Sequence, residues 1–330
     1  MIAAVPVELT DAELAAEILD GLSLVETQLA EASRAEEALL AEASAHLIDA
    51  GGKRFRATLV LLAGQFGNAR DERVVAAATA IELTHLATLY HDDVMDEASI
   101  RRGHQSANSR WTNTIAILTG DFLFARASQI LAQLGPEAVR IQADTFTRLV
   151  SGQIAETLGP LPGQDPLEHY LRVVTDKTAS LVATAGRLGA MFAGAPAEVT
   201  GRLEPACAAI GMAWQLSDDI LDVASESDQS GKTPGTDLRE GVHTLPMLYA
   251  LGAEGRDADR LRVLLARPIT DDAEVAEALE LLRAGSGLAR ARDVLADQAA
   301  AARAELGKLP ACPAADALAA LTAYVVDRTA

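Results

Sequence analysis

The chain has 330 residues, 49% hydrophobic and 23% charged, a globular composition with enough length for a large core in one or two domains. Its net charge of −19 argues against nucleic acid and anionic membrane surfaces as partners, because both attract clustered basic residues. Its two cysteines, Cys207 and Cys312, exclude a disulfide framework and predict a reducing, cytoplasmic location. No basic signal region and no apolar run of roughly 18 residues occurs, so we expect no signal peptide and no transmembrane segment.

Apolar residues recur with helical rather than alternating period, and aromatic residues make up only 4%, so strand signals are weak. The pattern predicts helices over 11–32, 34–50, 54–67, 71–97, 113–134, 136–158, 166–193, 197–225, 242–254, 257–267, 272–284, 286–306 and 313–328. Glycine and proline breaks separate them, and no linker or low-complexity tract divides the chain. We therefore expect one all-α domain over residues 1–330.

Two aspartate clusters have the same form, Asp92-Asp93-Val94-Met95-Asp96 and Asp218-Asp219-Ile220-Leu221-Asp222. Each cluster ends a long predicted helix and places carboxylates at i, i+1 and i+4, so two of them share one helix face. Carboxylates hold hard cations such as Mg²⁺, while waters and phosphate oxygens complete the octahedron. Two facing clusters would make a metal-bridged diphosphate site. The alternative, a pair of solvated acidic faces, fits poorly with the apolar, uncharged residues that precede both clusters.

Three basic segments accompany the clusters. The turn Gly51-Gly52-Lys53-Arg54-Phe55-Arg56 precedes a predicted helix, whose N-terminus would bind an anion with Lys53 and Arg56, although a plain capping turn has the same pattern. Arg101-Arg102 follows the first cluster, and two guanidinium groups match a diphosphate, unless they form surface ion pairs. The Gly231–Asp237 loop is rich in turn formers and could close over a phosphate, which is weak evidence alone.

Polar side chains also lie along the helices that lead to the clusters. His85 precedes Asp92 by two turns on the same face, although a lone helical histidine is usually structural. Lys177 and Thr178 open an uncharged stretch of helix, so the lysine either covers apolar surface or faces an anion. Gln215 precedes the second cluster by three residues and therefore faces its site.

Between about Gly51 and Leu248 the chain resembles the trans-isoprenyl (polyprenyl) diphosphate synthases, which elongate isoprenoid chains. The matching segments are Gly51–Arg56, His91–Asp96, Arg101–Gly103, Gly120–Leu123, Gly152-Gln153, Lys177–Leu181, Gly211–Asp222 and Gly231-Lys232. The resemblance implies the isoprenoid synthase type I fold, a single large helical bundle around a central cavity, and usually a homodimer.

The resemblance also implies a reaction between isopentenyl diphosphate and an allylic diphosphate, assisted by three Mg²⁺. The metal ligands would be led by Asp92, Asp96 and Asp218, with Asp93, Asp219 and Asp222 in the same clusters. The allylic diphosphate would contact Arg101, Lys177 and Lys232. Isopentenyl diphosphate would be held by Lys53, Arg56, His85 and Arg102. Thr178 and Gln215 would lie beside the developing cation.

Three positions depart from the family pattern. Ala57 and Thr233 stand where relatives often have proline. Val242 stands where many relatives have lysine, so one diphosphate contact is either missing or supplied by His243.

Product length depends on the helix that ends at Asp92. Thr88 and Ala87 lie four and five positions earlier, roughly 6–7.5 Å up the axis, where short-chain members resemble one another in having bulky aromatic residues. Ala87 is small, so a tunnel would stay open toward Thr84. This predicts a long-chain product of C30–C50, with C20 as the alternative. Ala87 could instead be a helix-packing alanine, in which case another helix sets the floor of the tunnel.

Other functions are less consistent with these residues. A class I terpene cyclase would share the fold, but its second metal site normally mixes Asn, Ser and Glu. A non-catalytic partner subunit would tend to lose its aspartates, and all six are present. A catalytic subunit that needs an unlike partner stays open, so both a homodimer and a heterodimer fit.

Overall fold

The computed structural model describes residues 9–225 and 234–329; the predicted site residue Lys232, like Thr233, lies outside the described residues. Within these ranges the chain is helical apart from turns, loops and one two-stranded hairpin. The predicted all-α class is confirmed.

The α-helices of the described residues are α1 (Ala12–Ala32), α2 (Ala38–Asp49), α3 (Phe55–Gly64), α4 (Glu72–Met95), α5 (Ala107–Arg110), α6 (Asn113–Leu134), α7 (Pro136–Leu158), α8 (Pro166–Val174), α9 (Ser180–Phe192), α10 (Ala197–Ala224), α11 (Thr236–Glu240), α12 (Leu245–Leu251), α13 (Arg256–Leu264), α14 (Asp272–Ala284), α15 (Ser286–Leu306) and α16 (Pro313–Asp327). Strands β1 (Ile100–Arg101) and β2 (His104–Gln105) form an antiparallel hairpin. A π-helical turn, Thr175–Ala179, lies between α8 and α9.

Several helices begin at an aspartate, as helix-start signals predict. The side chains of Asp11, Asp71, Asp165 and Asp271 each accept a hydrogen bond from a backbone amide in the first turn that follows. Each such cap satisfies an amide that lacks a partner within the helix and stabilises the fold by about 1 kcal/mol. These local signals explain why most predicted helix boundaries agree with the structure within a few residues.

The structure differs from the sequence prediction in five places. The helix predicted over 166–193 is interrupted by the π-helical turn, and the helix predicted over 242–254 is confined to α12. The hairpin and the short helices α5 and α11 were not predicted, because elements of two to five residues are too short to show a periodic pattern.

The described chain divides into two compact units. The first unit contains the residues up to Phe146, Leu181–Cys207 and Leu306–Leu318. In this unit α4 packs against α1, α3 and α6 and has buried residues all round, so it is a central helix. The C-terminal end of α4 carries the first acidic cluster.

The second unit contains Thr147–Ser180, Ala208–Glu305 and the residues from Ala319 onward. Its apolar core includes buried residues of α8, α10 and all helices from α12 to α16. Leu216, Ile220 and Val223 of α10 are fully buried in this core. Their burial fixes the end of α10 that carries the second acidic cluster.

One helix of the described residues, α6, is long and apolar enough by length and composition to cross a membrane. It nevertheless contains Asp121 and Arg126 and packs along α4. It is therefore a helix of this fold and not a membrane span.

Candidate active site

Both acidic clusters lie at the C-terminal ends of long helices. Asp92 and Asp93 lie in the last turn of α4 and Asp96 is its C-cap, whereas the second cluster lies in the last turns of α10. The C-terminus of a helix carries partial negative charge, and neither helix has a basic residue in its last turn. Added carboxylates are unfavourable there, so both ends are electrostatically suited to bind cations.

Within the first cluster the three carboxylates differ in exposure. Asp93 is fully buried, whereas Asp92 is half-buried and Asp96 is exposed. The Arg101 Nε donates to Asp93 Oδ1 at 2.5 Å. Burial raises the pKa of Asp93, and the charge of Arg101 partly opposes this rise. Arg101 thus supports Asp93 from β1, and the accessible carboxylates are Asp92 and Asp96.

The hairpin connects the first cluster to the glycine-rich basic turn. Arg102 has a φ of 53° at the hairpin turn, a left-handed conformation that brings its side chain back toward the loop before α3. Its guanidinium donates to the carbonyls of Leu47, at 2.8 Å, and of Gly51. A Cβ at Gly52 would lie 3.0 Å from the Arg102 Cζ, so glycine leaves room for this approach. Arg102 and the basic turn, widely separated in sequence, are brought together.

The first of the two arginines in the basic turn has a structural role. Arg54 is buried and forms a bidentate ion pair with Glu26 of α1, at 2.6 and 3.0 Å. Burial acts to lower the pKa of Arg54, but Glu26 and the charge of Glu82 raise it above its ordinary value. Glu82 is buried in α4 and accepts a hydrogen bond from the Ala57 amide at 3.0 Å, which caps the start of α3. Sequence reasoning missed Glu82, although a single acid within the apolar stretch of α4 was a usable signal.

His85 lies close enough to Arg56 and Arg102 for their positive charges to act on its imidazole. Burial lowers the pKa of His85 well below its ordinary value, and the charges of Arg56 and Arg102 lower it further. The imidazole is therefore neutral at pH 7. Lys53 is exposed and Arg56 is half-buried at the start of α3. The structure thus places His85, Arg56 and Arg102 within one positive region of the first unit.

The predicted chain-length positions lie inside the first unit. Ala87 and Thr84 are fully buried, and Thr88 is half-buried with its hydroxyl donating to the His85 carbonyl at 2.7 Å. Helix α6 approaches α4 closely at Gly120, where a Cβ would overlap the His91 ring and lie 3.1 Å from the Ala87 carbonyl oxygen. Gly120 therefore permits the packing that surrounds this part of α4.

Deeper along α4 the buried surface is polar. Gln142 of α7 donates from Nε2 to the Thr84 hydroxyl at 2.7 Å, and Thr84 donates to the Ala80 carbonyl at 2.8 Å. The Gln142 Oε1 is buried and has no hydrogen-bond partner in the described residues. Thr84 is consequently held by a polar contact that the sequence did not indicate.

The middle aspartate of the second cluster is also buried. Asp219 accepts a hydrogen bond from the Tyr170 hydroxyl and a second from Gln215 Nε2 at 2.8 Å. The Thr178 hydroxyl donates to Gln215 Oε1 at 3.2 Å, so four side chains form one hydrogen-bonded chain. Burial raises the pKa of Asp219, and burial beside this carboxylate raises the pKa of Tyr170. Tyr170 was not predicted, since nothing in the sequence links α8 to α10.

The two outer aspartates of the second cluster are half-buried and have partners as well. Asp222 accepts hydrogen bonds from the backbone amides of Thr236 and Asp237, at 3.0 and 3.1 Å. Asp218 Oδ1 lies 2.8 Å from a guanidinium nitrogen of Arg328, which sequence reasoning also missed. Each carboxylate of this cluster is thus oriented by an element outside α10.

Lys177 and Thr178 lie in the π-helical turn, a feature often found at functional sites. Lys177 forms an ion pair with Glu156 of α7, and Gln153 Nε2 donates to the same carboxylate at 3.1 Å. Gly152 brings α7 against this turn, because a Cβ there would lie only 2.5 Å from the Lys177 nitrogen. This close approach accounts for the Gly152-Gln153 pair singled out in the sequence.

The loop that departs from the family pattern is only partly described. Val242 is exposed, and its amide donates to the Asp237 carbonyl at 2.9 Å. The His243 Nε2 lies 2.9 Å from the Leu265 carbonyl oxygen, so the imidazole forms a hydrogen bond within the second unit.

The donor groups fit Mg²⁺ when other ligands complete its coordination. Among the described residues no three Asp, Glu, His or Cys side chains are arranged to hold a metal ion by themselves. Mg²⁺ is usually bound by one or two carboxylates, with waters and substrate phosphates as the other ligands. Asp92 with Asp96, and Asp218 with Asp222, are accessible carboxylates of this kind. The residues therefore fit Mg²⁺ in the presence of a diphosphate.

Known proteins similar to this chain include enzymes that make diphosphates, as their names state. Residues 37–282 match the family model "Polyprenyl synthetase". Nonaprenyl diphosphate synthase of Mycobacterium tuberculosis is 55% identical over 323 residues, with 98% of this chain and 96% of the relative covered. Dimethylallyltranstransferase of the same organism is 45% identical, with 97% and 98% covered. Geranylgeranyl pyrophosphate synthase of Corynebacterium glutamicum, solved with calcium and isoprenyl diphosphate, superposes with a TM-score of 0.87 at 46% identity, covering 98% of this chain and 99% of that one.

The helical fold and the acidic and basic groups define a prenyl diphosphate synthase. The chain belongs to the polyprenyl synthetase family. The predicted family, fold class and enzyme class are therefore confirmed. Enzymes of this family act on allylic and isopentenyl diphosphates and use Mg²⁺.

Proposed function

We propose that this enzyme condenses isopentenyl diphosphate with an allylic diphosphate to make a long-chain trans-polyprenyl diphosphate of C30–C50. The observations that carry the reaction are accessible carboxylates at the C-terminus of α4, accessible carboxylates at the C-terminus of α10, and a positive region beside the first of these clusters. The small, buried Ala87 and the 55% identity to a nonaprenyl diphosphate synthase support a long product. A C20 product is the second candidate, favoured by the name of the Corynebacterium structure.

The proposed metal ligands are led by Asp92, Asp96 and Asp218, with Asp222 also accessible. Three Mg²⁺, when bound, would neutralise the charge of the departing diphosphate. The calcium in the Corynebacterium structure supports a site for hard divalent cations. Asp93 and Asp219, which the sequence also nominates as ligands, are buried and hydrogen-bonded, so we infer that they orient neighbouring groups.

Two separate sets of basic residues would bind the diphosphate groups of the two substrates. We propose that Lys53, Arg56, His85 and Arg102 bind isopentenyl diphosphate, because guanidinium and ammonium groups match its oxygens and a neutral imidazole can donate a hydrogen bond. Arg101, Lys177 and Lys232 would contact the allylic diphosphate. Both arginines next to the first cluster already donate to protein oxygens, which holds their guanidinium groups in place.

Chain elongation would then follow from positions and charges. The diphosphate group of the allylic substrate would leave with the electron pair of the broken C–O bond, and an allylic cation would stay behind. The double bond of isopentenyl diphosphate would attack this cation, and loss of a proton would give an allylic diphosphate five carbons longer. The hydroxyl of Thr178 and the amide of Gln215, hydrogen-bonded to each other, would lie beside the developing cation. The released diphosphate would accept the proton, so no side-chain base is required.

We infer that the two units form one synthase domain, as supported by a family match that runs through both. We also propose a cytoplasmic homodimer. Free Cys207 and Cys312 support a reducing compartment. On α6, Ile117 and Leu118 are 43% and 54% exposed, an apolar surface that a second copy of the chain would cover.

The test is an assay of the purified protein with Mg²⁺, labelled isopentenyl diphosphate and allylic primers of C5, C10, C15 and C20, with products sized by mass spectrometry. We expect products of C30–C50, and none when EDTA is added. Products that stop at C20 would favour the second candidate. A cyclised hydrocarbon would instead indicate a terpene cyclase, and activity only with an unlike subunit would contradict the homodimer.

A further inference from the structure

The residue after α16 reaches the leading aspartate of the second cluster. Arg328 places a guanidinium nitrogen 2.8 Å from Asp218 Oδ1 and donates from Nε to the Ser217 hydroxyl at 2.6 Å. The same guanidinium donates to the Trp214 carbonyl at 3.1 Å and stacks on the Trp214 ring, 4.4 Å from its centroid. All four residues belong to the second unit.

This arrangement differs from an ordinary surface ion pair. The Arg328 side chain is only 11% exposed, and three hydrogen-bond acceptors and one aromatic face define the plane of its guanidinium. A planar guanidinium can satisfy several acceptors while it stacks, which an ammonium group cannot do. The exposed pair of Arg260 with Glu277 in the same unit is simpler, because both hydrogen bonds of the guanidinium go to one carboxylate.

We propose that Arg328 is a positioning residue for Asp218, an inference that rests on the proposed function. The guanidinium contacts Oδ1, so it holds the carboxylate in one orientation and presents Oδ2 as the candidate ligand for a cation. Partners of metal-ligating carboxylates commonly have this role, and their loss lowers metal affinity or activity by about 10- to 100-fold. Arg328 would thus couple the segment after α16 to the departure of diphosphate.

The opposite role is the competing outcome. A positive group beside a cation ligand could instead compete with the cation, in which case its removal would strengthen metal binding. A purely structural role would lower stability and leave metal binding unchanged. The experiment must therefore measure binding, catalysis and unfolding on the same variants.

The main variant is Arg328→Ala, with Arg328→Lys as the conservative variant and Ser217→Ala as a milder one. Ser217→Ala removes one contact of the guanidinium and keeps its charge, so it remains informative if Arg328→Ala folds poorly. Arg260→Ala is the matched control, because it removes an arginine–carboxylate pair of the same unit away from the cluster. Each protein is titrated with Mg²⁺ in the presence of inorganic diphosphate by calorimetry, assayed against Mg²⁺ concentration, and melted without metal.

We expect Arg328→Ala to weaken Mg²⁺–diphosphate binding and raise the half-saturating Mg²⁺ concentration by about 10- to 100-fold. Arg328→Lys should recover part of this loss, Ser217→Ala should shift it in the same direction by less, and Arg260→Ala should match wild type. Unchanged or tighter binding in Arg328→Ala would overturn the proposal. Wild-type protein that binds Mg²⁺–diphosphate but elongates no primer would contradict the proposed function alone.

Discussion

Gly152 permits a close approach between α7 and the π-helical turn that carries Lys177 and Thr178. A Cβ at this position would lie 2.5 Å from the Lys177 nitrogen, and 3.0 Å from both the Asp176 carbonyl carbon and the Lys177 Cα. Ordinary van der Waals contact begins at 3.4 Å, so Gly152→Ala must separate the two segments by roughly 0.9 Å. The opposing atoms are backbone, and no side-chain rotation can relieve the contact.

The variant should affect catalysis more than stability. Overpacking costs about 1–3 kcal/mol, whereas replacing glycine by alanine within a helix recovers about 1 kcal/mol. The net loss of unfolding free energy is therefore at most about 2 kcal/mol. A displacement near 1 Å in a positioning group can lower the rate by about 10²-fold. We expect kcat to fall by about one to two orders of magnitude.

The matched control is Gly201→Ala in α10, because a Cβ at this helical position meets no heavy atom within 4 Å. This variant should equal wild type in kcat and gain up to about 1 kcal/mol of stability. Single-turnover elongation of a C15 primer and urea unfolding would be measured for both variants. If Gly152→Ala folds and elongates within twofold of wild type, the turn does not position Lys177 and Thr178 for catalysis.

Three further predictions concern the first unit. Ala87→Phe should shorten the product, because its ring would occupy the side of α4 along which the tail is proposed to run; an active variant with products as long as wild type would show that the tail does not pass Ala87. His85→Gln should make the free energy of unfolding less sensitive to acid. Folding lowers the pKa of His85, so the wild-type free energy of unfolding falls as the pH drops below the unfolded-state histidine pKa near 6.5, by up to about 1.4 kcal/mol per pH unit. Urea unfolding at pH 7.0 and 5.5 tests this, with the exposed His104→Gln as control, and an unchanged pH dependence in His85→Gln would contradict it. Finally, Mg²⁺ with inorganic diphosphate should raise the wild-type unfolding temperature, and Asp92→Asn should diminish the rise; equal shifts would remove Asp92 from the metal ligands.

The sequence by itself determined most of the long helices and the chemical character of the site. Helical hydrogen bonds join residues four apart, so periodicity and capping aspartates specify α1, α4 and α14 locally. The spacing of Asp92 and Asp96 likewise predicted two accessible carboxylates one turn apart. These features depend on neighbours in the chain and are visible without a fold.

Only the tertiary structure decided which groups support the acidic clusters. Asp93 is paired with Arg101 because an unpredicted hairpin turns back over the end of α4, and Asp219 is paired with Tyr170 because α8 packs beside α10. The same holds for Arg328 and Asp218, which are far apart in sequence. Contacts between elements are set by the packing of the core, which carries no fixed spacing along the chain, and therefore no local pattern could reveal them.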